Sequence, residues 1–135
     1  MRAKLFGMWI VTALASCATD QGTMGTISPG VLEVQSRTNV VAPPTAEPGQ
    51  TFVVSITTYG SSCIEPESTD ITCTTNGATI DVFDRRPSGI CTADLAPHLH
   101  DATLSFDSAG QRIATVRGWD SSHHDLELPI TIVIE

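Results

Sequence analysis

The chain predicts an all-β domain, an antiparallel β-sandwich of about seven strands. Three observations carry this. No segment past Gly30 sustains a 3.6-residue apolar period. Several segments alternate apolar and polar residues instead, and Thr, Val and Ile are frequent in them. Turn residues punctuate the intervals: Ala42-Pro43-Pro44, Glu47-Pro48-Gly49, Asn76-Gly77 and Ser108-Ala109-Gly110.

In order, the expected strands are Val31–Gln35, Thr51–Tyr59, Asp70–Thr75, Thr79–Asp84, Ala102–Asp107, Arg112–Gly118 and Leu128–Glu135. Phe52, Val54 and Ile56 share one face of the second. Ile71 and Cys73 share the inward face of the third, which makes Cys73 an expected buried small hydrophobe. Asn76-Gly77 is a strong hairpin turn signal into the fourth, where Ile80 and Val82 face inward. Leu104 and Phe106 mark the fifth, Ala114 and Val116 the sixth. Leu128, Ile130, Ile132 and Ile134 line one face of the last.

The N-terminus reads differently. Arg2 and Lys4 precede an apolar stretch from Leu5 to Ala15. It is shorter than the roughly 20 residues a spanning helix needs, and it suits a secretory signal. It ends in Leu14-Ala15-Ser16-Cys17, which resembles the lipobox of bacterial lipoproteins. That resemblance implies a cleaved signal at residues 1–16 and a lipidated Cys17 as the mature N-terminus. It places the chain in the cell envelope, anchored to a membrane by acyl chains. Ala18 stands where aspartate would retain the protein in an inner membrane, so the outer membrane is implied in a Gram-negative cell. Residues 18–30 are small and polar and are expected to form a tether. It reaches at most about 45 Å extended and roughly 20 Å as a coil. Residues 31–135 are the expected domain.

Losing Arg2 and Lys4 moves the formal net charge from −8 to −10 and leaves no lysine. So acidic a chain repels nucleic acid, which excludes that class of partner. No Gly-x-Ser-x-Gly elbow or His-Glu-x-x-His pair is present. A phosphate loop would need a lysine. Glu65 and Glu67 read as a solvated acidic loop, and Arg85-Arg86 as the exit from a strand. These absences point to a monomeric, non-enzymatic binding or structural module, its partner an unidentified envelope protein or ligand. Loop-mediated inhibition of a protease is a variant of the same reading.

If successive strands run in opposite directions, the connections alternate between two ends. Loops 60–69, 85–100 and 118–127 fall at one, here the upper end. The Asn76-Gly77 and Ser108–Gly110 turns fall at the lower. Cys63 and Cys91 are both upper, so they are the favoured disulfide, with Cys63–Cys73 the alternative. His98, His100, His123 and His124 are upper too. As a histidine-dependent site they would hold Zn²⁺ or Cu²⁺; otherwise they are solvated loop residues and the chain needs no cofactor. Tyr59 and Trp119 end the second and sixth strands there, as a binding surface or as caps on the core.

The Pro43-x-x-x-x-Pro48-Gly49-x-x-Phe52 entry into the second strand and the Asp107-Ser108-Ala109-Gly110 turn resemble the bacterial immunoglobulin-like domains carried by envelope lipoproteins. Gln111 replaces the tyrosine of antibody domains, and no tryptophan sits on the third strand. The resemblance therefore implies the immunoglobulin-like sandwich as a class.

Overall fold

Period-two alternation builds six long strands, and their apolar faces close on one another. The computed structural model describes residues 25–135; the expected signal at 1–16 and the expected lipidation site Cys17 lie outside the described residues. Eleven strand segments occur among the described residues: β1 (Gly25–Pro29), β2 (Glu33–Val34), β3 (Arg37–Thr38), β4 (Val40–Val41), β5 (Thr45–Ala46), β6 (Phe52–Gly60), β7 (Glu65–Thr74), β8 (Gly77–Pro87), β9 (Ala96–Leu104), β10 (Gly110–Trp119) and β11 (Asp125–Ile134).

The fold is all-β and sandwich-like, but its sheets are mixed. One sheet runs β1-β8-β10-β11-β5, with β7 on the other side of β8; the second is β4-β6-β9. Strand β8 is parallel to β10, and β5 to β11. This corrects the purely antiparallel expectation. Successive long strands still alternate in direction, but β8 and β10 are next-but-one in the chain and become neighbours, so they run the same way. Gly77 permits their approach: a Cβ there would overlap the Ile113 carbonyl oxygen.

Inward residues from both sheets form one core. It includes Val54 and Ile56 from β6, Ile80 and Val82 from β8, Val116 from β10, and Ile132 and Ile134 from β11. Each such side chain contributes roughly 1.5–3 kcal/mol by leaving water.

Several boundaries differ from expectation. Residues 25–29 belong to β1 rather than to a tether: they pair with the part of β8 that runs past the end of its pairing with β10. The acidic 65–67 segment is strand, because Glu67 grips Arg85 on β8 with two hydrogen bonds of 2.7 and 2.6 Å. Cys73 is exposed and free, not buried. It does face inward, opposite buried Ala78, but β7 lies at the sheet edge and the facing sheet does not cover its second half. Ile71 is uncovered for the same reason.

The ends sort as the alternation predicts. At the lower end the Ile113 amide donates to the Asn76 carbonyl, and the Gly49 amide to the Phe106 carbonyl. At the upper end Cys63 and Cys91 form the favoured disulfide, Cα atoms 5.7 Å apart.

Candidate functional site

Residues 30–32 build the floor of the upper end. The chain leaves β1 and passes between the two sheets there. The Trp119 amide donates to the Gly30 carbonyl and the Leu32 amide to the Trp119 carbonyl, while the Tyr59 amide donates to the Val31 carbonyl. Val31 thus ties β6 to β10. The crossing is tight: a Cβ on Gly118 would sit 2.5 Å from the Gly30 carbonyl oxygen. Leu32 is fully buried beneath it.

Above this floor lies a groove of about 500 Å³. Val31, Tyr59, Ile64 and Trp119 supply its apolar surface, and His123 lies at its side. Trp119 and His123 rings stand 5.0 Å apart at 38°. Ser28, Ser61, Asp84 and Arg86 supply polar groups. A smaller hollow of about 210 Å³ lies on the outer face among Asp81, Arg117, Asp125 and Glu127. There Arg117 is already held by both Asp81 oxygens, at 2.7 and 2.8 Å. Those bonds keep its guanidinium above its ordinary pKa. A cation so satisfied has little left to offer a ligand, and the upper groove is the stronger candidate.

His123 is held in an unusual conformation. Its φ is +61°, the left-handed region that costs a non-glycine residue about 1 kcal/mol or more. Asp120 imposes it: Oδ1 accepts the amides of Ser122 and His124 at 2.8 and 2.9 Å. The same hydrogen bonds, the one from His124 largest, lower the Asp120 carboxyl below its ordinary pKa of 3.8. Strain of this kind is commonly kept where a side chain has a task.

The loops at 61–64 and 88–95 are cross-linked beyond their disulfide. Asp94 accepts from Thr92 Oγ1 at 2.5 Å and from the Ser62 amide at 3.1 Å. Those bonds, Thr92 first, hold its carboxyl far below the usual carboxylate range. Ser61 and Ser62 hydroxyls each meet Thr92 Oγ1, at 3.2 and 3.0 Å.

The four histidines do not converge. His98 and His100 share the inward face of β9, as their spacing predicts, but both are buried. His98 Nε2 lies 3.0 Å from the Ser61 carbonyl, which only accepts, so this nitrogen carries the hydrogen. His100 Nε2 lies 2.7 Å from Asp84 Oδ1 and 3.3 Å from Thr58 Oγ1. Both Nε2 atoms are committed to internal bonds. His123 and His124 are exposed in the β10–β11 loop. Among the described residues no group of three or more His, Cys, Asp or Glu side chains is placed to hold a metal ion.

Asp84 and Thr58 have no role in the sequence reading, and Arg86 entered it only as the exit from a strand. Asp84 and Thr58 sit at inward positions of β8 and β6, where polar residues had suggested strand ends. The signal that was there is the parity: Asp84 continues the Ile80, Val82 face, and His100 continues the Ala102, Leu104 face. A buried carboxylate and a buried imidazole are then each other's natural partners.

Comparison with protein-family models, curated proteins and solved structures finds no match to this chain.

Proposed function

We propose that the chain is a membrane-anchored lipoprotein of the cell envelope, its immunoglobulin-like sandwich a non-enzymatic binding module. The observation that carries this is the upper groove, which gathers Tyr59, Trp119 and His123 beside Arg86. Amphipathic aromatic side chains give large contact area at low entropic cost. Arg86 adds a cation with no carboxylate partner among the described residues, whereas Arg85 and Arg117 are paired. His123 is held in strain against Trp119, which pre-organises that wall of the groove.

A structural role suits the buried polar group better than chemistry does. Asp84 and Thr58 both approach the same nitrogen of His100, which ties β6, β8 and β9 together. Two packed sheets with alternating connections support the immunoglobulin-like class. The lipid anchor rests on Leu14-Ala15-Ser16-Cys17.

The test is a photo-crosslinking amino acid placed at His123 in the lipidated protein in cells, with one at Ala109 on the lower turn as control. Discrete adducts at position 123, lost on Trp119→Ala, are expected. Adducts no stronger than those at position 109 would overturn the reading.

A further inference from the structure

We infer that the upper end is the membrane-facing end of the domain, and that the 88–95 loop contacts the bilayer surface through Ile90 and Leu95. The inference rests on the anchoring of Cys17 proposed above and adds the orientation that the fold imposes on it.

The chain enters the domain at Gly25, the first residue of β1, and Gly25 pairs with Pro87, the last residue of β8. The upstream chain therefore leaves from the upper end, beside the start of the 88–95 loop. Cys17 and Gly25 are eight residues apart. That chain spans at most about 28 Å fully stretched. Strand β8 has 11 residues, so its lower end lies about 33 Å from Gly25. With β8 standing along the membrane normal and the lower turns on the bilayer, Gly25 would stand higher than even the taut chain allows. Length therefore excludes an upright domain resting on its lower end.

The surface of the upper end then favours contact over mere proximity. Ile90 is 104 % exposed and Leu95 61 %. Both belong to the loop whose base is closed by the Cys63–Cys91 disulfide and by Asp94. Two apolar tips on a braced loop suit shallow insertion among headgroups. The domain's acidity and Asp94 within the loop disfavour an anionic surface. The contact fits a zwitterionic bilayer. The groove lies at this same end, since Thr26, Ser28 and Arg86 line it, so its ligand is met close to the membrane.

Trp119 is the one tryptophan beyond the proposed signal, which makes fluorescence the natural probe. The full lipidated protein is reconstituted into phosphatidylethanolamine–phosphatidylcholine vesicles containing brominated lipid. A single tryptophan is placed by Leu95→Trp or by Ala109→Trp in a Trp119→Phe background. If that background does not fold, the same two substitutions are read as increments over the native Trp119 signal. Intact mass confirms acylation in each sample. Leu95→Trp is expected to lose at least half its emission to the bromines and to shift to shorter wavelength, while Ala109→Trp stays unquenched. Equal quenching at both positions, or none at position 95, on an acylated chain would overturn the orientation alone. An unmodified Cys17 would overturn the anchor and this inference with it.

Discussion

Removing either member of the Asp84–His100 pair should cost far more than either residue's size suggests. Both side chains are almost wholly buried, at 7 % and 2 % exposure. They meet at 2.7 Å. Asp84→Ala leaves a buried imidazole without its acceptor, and His100→Ala leaves a buried carboxylate without its donor. Breaking a buried pair from one side costs about 3–5 kcal/mol, a large share of the roughly 5–15 kcal/mol that holds a domain folded. Urea unfolding, followed by Trp119 emission and far-ultraviolet circular dichroism, reads this directly. With a urea slope of about 1–3 kcal/mol per molar, each single variant should lower the midpoint by roughly 2 M. The double alanine variant should cost less than the two singles together, by a coupling of about 1.5–3 kcal/mol. Replacing both residues with leucine should recover part of the loss, since an apolar pair has no charge to desolvate. Single costs under about 1 kcal/mol, or additivity within about 0.5 kcal/mol, would refute the assignment of these residues as mutual partners.

Replacing Cys63 and Cys91 with alanine opens a 29-residue loop and should cost about 3–4 kcal/mol; calorimetry should show the melting temperature fall by roughly 10–20 °C, and reductant should do the same to the native chain. His123→Gly should raise stability by up to about 1 kcal/mol, because glycine adopts the left-handed conformation freely, and urea unfolding should show the midpoint rise. Asp94 and Asp120 have lowered folded-state pKa values, so the stabilisation they give the upper loops is complete above their ordinary pKa of 3.8. It is lost as pH falls below that value toward the folded ones. Amide exchange corrected for intrinsic rates should show loops 61–64, 88–95 and 120–124 losing protection on acidification, and Asp94→Ala with Asp120→Ala should abolish that dependence.

The long strands were legible because alternation reports burial directly: Phe52, Val54 and Ile56, or Ile132 and Ile134, declare one face whatever they pack against. Strand ends were less so where inward positions are polar. His98 and His100 occupy inward positions of β9, and reading them as loop moved its start from Ala96 to Ala102. Cys73 shows the opposite failure. Its parity was correct, but parity says which way a side chain points and not whether another sheet lies opposite. Edge position is a property of the topology, and no local pattern in Asp70–Thr75 encodes it. The cysteine pairing and the placing of Tyr59, Trp119 and the exposed histidines followed from direction alternation, which survives a change of sheet order. Strands β1, β4 and β5 are five, two and two residues long, too short for a period to register.

The parallel pairing of β8 with β10 connects these points. Its registered pairs end at Asp81 and Arg117, while β8 continues to Pro87. Without a further partner, that extension would expose unpaired backbone along its β10 side. Strand β1 covers it, and the chain must then cross at residues 30–32 to reach β4 in the other sheet. The crossing lays Val31 between Tyr59 and Trp119 and so makes the floor of the groove. Thr26 and Ser28 of β1 line that groove, and Gly25 begins the path back to Cys17. One strand therefore closes the sheet, walls the site and sets where the upstream chain departs. Weakening β1 should disturb all three together. Gly30 donates to Val82 directly opposite it, so Ser28, two residues earlier, likewise faces its partner Asp84. Ser28→Pro removes that amide donor, and it should raise amide exchange at Asp84–Arg86 and around Trp119 while leaving the lower hairpin at Asn76-Gly77 protected. Loss of protection spread evenly over β8 would mean that β1 is not the separate brace described here.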